Sequence, residues 1–196
     1  MHPLIVTLTL LGRAFYERPA EENRDLYQHL AELPNMLQWP NAKHIAALIG
    51  DLPTLTLEEH EYQYSVLFEG QGHMACPPWG SVYLDRHNMV FGESTHRYEA
   101  FLASCGLTLE HSSREPQDQF GLMLLALSQL LINEQHSQAV TLLEDHLFTW
   151  CFRYLQLLAA NETSRYYAIL ASVAETLLGE LKAEFEISEQ PVELFF

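Results

Sequence analysis

Between its prolines and glycines, this chain repeats apolar residues every three or four positions, which is the period of a helix and not of a strand. Leu4, Leu8, Leu11 and Phe15 form one stripe of a first predicted helix, Leu4–Glu17, which Pro19 stops. A second is expected over Glu21–Leu33, with acids in its first turn, Leu26, Leu30 and Leu33 at helical spacing, and Pro34 ending it. A short helix over Asn41–Ile49 follows. Thr56 with Glu59 has the Thr-x-x-Glu form of a capping box, which opens a helix running to about Phe68. Ser94 is expected to cap a helix to Cys105. Glu115-Pro116-Gln117-Asp118 should open a Leu-rich helix to about Asn133. Helices over Gln135–Phe148, Thr149–Ala160 and Ser164–Phe185 complete the reading. No hairpin chemistry, internal repeat or low-complexity tract stands out. The expected fold is all-α, a single compact multi-helix bundle spanning residues 1–196. Residues 71–94 interrupt the pattern. They hold Gly72, Pro77, Pro78, Gly80 and Gly92 with Trp79, Tyr83 and Phe91 between them, and read as a long functional loop.

Charge narrows the partners. The chain has 26 Asp+Glu against 10 Lys+Arg, a formal net charge of -16, while 48% of it is hydrophobic. That apolar content excludes a disordered acidic tail. The deficit of bases excludes phosphate-backbone recognition, so no nucleic acid is expected as a partner. It also argues against an anionic membrane surface. Leu4–Leu11 lacks a basic segment before it and a cleavage site after it, and no run reaches the roughly 18 apolar residues of a membrane span. Cys76, Cys105 and Cys151 are odd in number and widely spaced, with no C-x-x-C pair, and read as thiols of a reducing compartment. The expected location is the cytoplasm, with no stable membrane insertion.

Catalytic patterns are weak. No H-E-x-x-H occurs among the ten histidines. Gly80-Ser81-Val82-Tyr83 lacks the second glycine of a nucleophile elbow. Glu69-Gly70-Gln71-Gly72 lacks the lysine and length of a phosphate loop. Glu115 and Asp118 are better read as helix-start acids than as an acid/base pair. These observations favour a binding protein over an enzyme, with no cofactor and no metal expected.

Two stretches contain no Lys or Arg: His44–Asp85, with the Pro-Pro-Trp-Gly segment, and Glu115–Phe152. If they meet, they form an aromatic hollow with an acidic rim, suited to a peptide with a cationic end followed by an apolar stretch. Core packing together with a solvated acidic surface is the competing account of the same residues.

The motifs in these stretches carry a resemblance. Cys76-Pro77-Pro78-Trp79-Gly80-Ser81-Val82-Tyr83-Leu84-Asp85-Arg86, then Phe91-Gly92-Glu93-Ser94-Thr95, is similar to the signature of the TorD/DmsD family, and nearer its DmsD branch. Glu115-Pro116-Gln117-Asp118-Gln119-Phe120-Gly121 resembles that family's Glu-Pro-x-Asp-His-Phe, and His146-Leu147-Phe148-Thr149-Trp150 its His-Leu-Phe-Pro-Trp. The resemblance implies an all-helical cytoplasmic chaperone that is not an enzyme. Such a chaperone binds the twin-arginine signal peptide of a molybdoenzyme, typically a dimethyl sulfoxide reductase-type catalytic subunit. It holds that leader for cofactor insertion before export through the twin-arginine (Tat) translocase. The apo-enzyme and Tat translocase components are further partners on this reading. The alternative is a maturation chaperone for a different, non-exported metalloenzyme. Carried over by position, the leader-binding residues are Tyr64, Leu67, Phe68, Pro78, Trp79, Tyr83, Glu115, Pro116, Asp118, Gln119 and Phe120. Gln119 stands where the family has His, Gly72 where the DmsD branch has an aromatic, and Tyr64 and Tyr83 replace Trp; these changes bear on leader choice and affinity.

Overall fold

The structure, a computed structural model, describes residues 2–70, 74–107, 115–188 and 192–196. Gly72, one of the departures above, lies outside the described residues. Helix α1 (Pro3–Tyr16) opens with Pro3 in its first turn and the His2 side chain accepting from the Leu4 amide. Its apolar stripe, Leu8, Leu11 and Phe15, is fully buried. The next segment differs from expectation. A 3₁₀ turn (Glu21–Asn23) leads into α2 (Arg24–Leu30), and a separate short helix α3 (Leu33–Met36) follows. Pro34 starts α3 and does not end α2, because a first helical turn has no use for the missing N–H. Helix α4 (Ala42–Gly50) is capped by the Asn41 side chain, and α5 (Leu57–Phe68) by the predicted Thr56–Glu59 capping box.

Within the 71–94 segment, residues Gly80–Leu84 form a short helix, α6. Helix α7 (Glu93–Ser104) is preceded by Gly92 and not capped by Ser94, whose hydroxyl donates instead to Asp85 Oδ2 at 2.8 Å. Helix α8 (Phe120–Ile132) starts later than its acids suggest; Gln119 caps it, accepting from the Leu122 amide at 3.0 Å. Helix α9 (His136–Thr141) passes into a π-helical turn over Leu142–Leu147, and α10 (Cys151–Ala159) and α11 (Arg165–Glu184) close the bundle, α11 capped by Ser164. The fold is all-α: among the described residues the extended pairing is a lone bridge, Trp79 with Gln119.

Helix α8 is buried along nearly its whole length, and α1 lies directly on it. The contact is close because glycines face each other: a Cβ on Gly121 would stand 2.6 Å from the Gly12 carbonyl oxygen. Around this pair runs an aromatic core. Phe15 meets Phe120 edge-on at 5.1 Å, Phe120 meets Tyr154 at 5.1 Å, and Phe68 meets Tyr167 at 4.9 Å. Cys76, Cys105 and Cys151 are all free and buried.

His60 on α5 is 6% exposed, held between the rings of Tyr27 and Tyr166 at 4.6 Å each. Its Nε2 has no hydrogen-bond partner among the described residues, and burial pushes its pKa down from 6.5 to about 4. The folded state therefore prefers the neutral ring. Its stabilising contribution is complete above pH 6.5 and is lost as the pH falls towards about 4. Thermal melts between pH 7 and 4 should show a steep fall that is shallower in His60→Phe; parallel profiles would exclude His60 as the source.

Candidate functional site

The two base-free stretches do meet. The Pro78–Gly80 backbone runs antiparallel to Asp118–Phe120: the Phe120 amide donates to the Pro78 carbonyl at 2.8 Å, and the Gly80 amide donates to the Asp118 carbonyl at 3.1 Å. A side chain adds a third tie. Asp118 Oδ2 accepts from the Ser81 amide at 2.6 Å and from the Thr95 hydroxyl at 3.1 Å, which pins α6 to α7 and to the start of α8. Burial pushes the Asp118 pKa up, opposed by the hydrogen bonds from Ser81 and Thr95.

Trp79 is left at the surface by this arrangement. Its indole N–H donates to Glu115 Oε1 at 3.2 Å. Together they form one side of an open hollow of about 680 Å³, with Tyr64 and Phe68 from α5 and with Pro116. The rest of the lining comes from the end of α1 and the residues after it: Tyr16, Glu17, Arg18 and Asn23. The Tyr64 hydroxyl donates to the Tyr16 carbonyl and ties α5 to that end. Glu17, Glu69 and Glu115 give the hollow an acidic rim. The rim is not unopposed, as the base-free stretches suggest. Arg18 reaches Glu69 at 3.2 Å and Arg13 pairs with Glu17 at 2.7 Å, so the first helix and the residues just after it supply the cations the motif segments lack.

Of the residues expected at the site, Tyr64, Phe68, Trp79, Glu115 and Pro116 line the hollow; Trp79 and Glu115 are half-buried, while Tyr64, Phe68 and Pro116 are buried and form its floor. Pro78 is buried in the strand-like pairing beneath it. Leu67, Tyr83, Asp118, Gln119 and Phe120 are at most 4% exposed and belong to the packed support. Gln119 donates from its side-chain amide to the Phe15 carbonyl at 2.8 Å, so the residue that departs from the His pattern joins α8 to α1. Tyr16, Glu17, Arg18, Asn23 and Glu69 complete the hollow without any motif of their own. Glu69 was visible as an acid of a base-free stretch, whereas the contribution of α1 rests on a contact 104 residues long and had no local signal.

A second hollow of about 410 Å³ lies among α2, α4 and α5, lined by Ile49, Leu55, Leu57 and His60. The charged pair at its mouth, Glu21 and Arg24, is closed on itself at 2.8 Å, so it offers little to a cation. Among the described residues no group of His, Cys, Asp or Glu is arranged to hold a metal, and no helix is long and apolar enough to cross a membrane.

The sequence model of the family described as nitrate reductase delta subunit matches residues 19–156. The chain is 33% identical over 184 residues to the Tat proofreading chaperone DmsD of Salmonella typhimurium, covering 93% of this chain and 90% of that protein. It is 31% identical over 193 residues to a protein named probable Tat proofreading chaperone DmsD of Haemophilus influenzae, covering 95% and 93%. Among solved structures, a candidate redox-enzyme maturation protein of Archaeoglobus fulgidus shares the fold, with a TM-score of 0.62 and 21% identity over 89% of this chain and 93% of that one.

Proposed function

The chain belongs to the nitrate reductase delta subunit family, which includes the DmsD and TorD chaperones, and from that premise we propose that it is a cytoplasmic chaperone for the twin-arginine leader of a molybdoenzyme catalytic subunit. It acts by binding and not by catalysis. The observation that carries this reading is the acid-rimmed aromatic hollow, built where the two motif segments cross. An arginine pair in the leader would exchange with Arg18 and the Trp79 indole for the carboxylates of Glu69 and Glu115. Each charge-assisted bond contributes about 1.5–3 kcal/mol. The apolar stretch behind the arginines would lie mainly on the half-buried Trp79, above the floor of Phe68 and Pro116, at about 25 cal/mol per Å² of apolar surface buried before ordering costs. Leader engagement would then keep the precursor from export while its cofactor is inserted, with the apo-enzyme body and translocase components as later partners.

Isothermal calorimetry with a synthetic leader tests this. Arg-Arg→Ala-Ala in the peptide should weaken binding about tenfold or more, since each 1.4 kcal/mol lost is a factor of ten. Glu115→Gln should weaken the native leader and flatten its salt dependence, because a screened rim contact fades with ionic strength. Equal affinity for the leader and for a scrambled peptide of the same composition would overturn the proposal.

A further inference from the structure

Tyr83 belongs to the motif that carries the family resemblance, yet it is fully buried. One side of its ring stacks on Trp150 at 5.4 Å in the core. The chain's own segment 192–196 packs against the same ring: Phe196 meets it edge-on at 5.4 Å. The backbone of that segment is also tied to α6 and α10. The Phe195 amide donates to the Tyr83 carbonyl at 2.9 Å, and Arg153 Nε donates to the Phe196 carbonyl at 3.4 Å. Val192 and Leu194 point outward, 41% and 38% exposed. A segment anchored by one ring and such few hydrogen bonds is among the easier parts of a protein to open.

The surface on either side of the segment is concave. A hollow of about 420 Å³, bordered by Leu84, Arg97 and His146, lies on one side, and one of about 200 Å³, bordered by Phe148, Phe152 and Arg153, on the other. Thr149 and Val192 line both, so the segment crosses what is otherwise one furrow. Helix α6 connects the acid-rimmed hollow to the furrow. Trp79, just before α6, lines the hollow, and Leu84, the last residue of α6, lines the furrow. Five helical residues rise only about 7 Å, the reach of two or three extended residues. The furrow walls carry charges of both signs, Arg97, Arg153 and Lys182 with Glu144 and Asp145, whereas the acids Glu17, Glu69 and Glu115 outnumber Arg18 at the hollow and make it the better place for a cationic end.

We propose that residues 192–196 are a displaceable occupant of a second peptide-docking surface along α6, and that the apolar stretch of the leader takes their place while its arginines sit at the acidic rim. This rests on the leader reading above and adds the surface that the leader must clear. The segment shows what the furrow accepts: a non-basic chain that offers an amide to the Tyr83 carbonyl and an aromatic ring in edge contact with Tyr83. Occupancy in cis lowers the apparent affinity in proportion to the time the surface is covered.

A variant ending at residue 191 should bind a synthetic twin-arginine leader about tenfold more tightly than the full chain, if the segment is seated roughly nine-tenths of the time. The peptide Val-Glu-Leu-Phe-Phe should bind the shortened variant, detected by tryptophan fluorescence, and should reverse the gain. Unchanged or weaker leader binding by a shortened variant with full helical circular dichroism would overturn the proposal. Should that variant fail to fold, Phe196→Ala in the full chain decides: tighter leader binding supports displacement, and no gain overturns it. If neither full nor shortened chain binds the leader, the leader reading fails, and the docking surface is then judged on Val-Glu-Leu-Phe-Phe alone: binding to the shortened variant upholds it, and none rejects it.

Discussion

Gly121→Val is expected to lower stability by about 3 kcal/mol, the upper end for overpacking, because the added carbons meet backbone and not a yielding side chain. Even the first added carbon would lie 2.6 Å from the Gly12 carbonyl oxygen and 2.9 Å from both the amide nitrogen and Cβ of Tyr16. Relief requires α1 to move off α8. That movement would strain the Gln119–Phe15 hydrogen bond and displace the Tyr16–Arg18 side of the hollow. In a chain of this size the loss corresponds to about 10 °C in melting temperature. The control is Gly179→Ala in the middle of α11, where a Cβ meets nothing within 4 Å. Helix propensity alone should make that change neutral to stabilising, by up to about 1 kcal/mol. Thermal or urea unfolding of both variants checks the pair; equal effects would mean the glycine crossing does not set the helix spacing.

Asp118→Ala should cost about 2–4 kcal/mol and, in the protein that remains folded, weaken leader binding about tenfold. The side chain is 3% exposed, so it does not reach a ligand; it is a positioning residue. Removing it leaves the Ser81 amide and Thr95 hydroxyl without their acceptor and frees α6, which carries Trp79 at its start. Asp118→Asn separates position from charge, because its amide oxygen can still accept from Ser81. Restored leader binding in Asp118→Asn would identify a positioning role, whereas loss in both variants would mean that the charge itself is required. The pH profile gives a second readout. Burial raises the Asp118 pKa in the folded state, so its contribution is fully favourable below the unfolded value of 3.8 and is lost as the pH rises through the folded value. That trend is opposite to the one His60 imposes, and Asp118→Asn should remove it while His60→Phe removes the other.

Much of this molecule was legible residue by residue. The α1 stripe and the Thr56–Glu59 box fall where the sequence places them because periodicity and capping act within one or two turns. Pro34, Ser94 and Asp118 were misplaced for a common reason. Each has a local role at a helix end, and each is compatible with a second geometry that distant residues decide. Ser94 turns to Asp85 and not to its own helix, while Asp118 turns from its helix start to Ser81 and Thr95.

The sequence by itself determined the helical class, the acidic character and the two motif segments whose resemblance names the family. These depend on side-chain type and short-range spacing. Tertiary structure alone decided that half of the motif residues are buried support, that the end of α1 and the residues after it line the hollow with Arg13 and Arg18 pairing its acids, and that segment 192–196 packs on Tyr83. Those outcomes depend on which surfaces are removed from water together, a property of the whole chain's packing that no window of neighbouring residues contains.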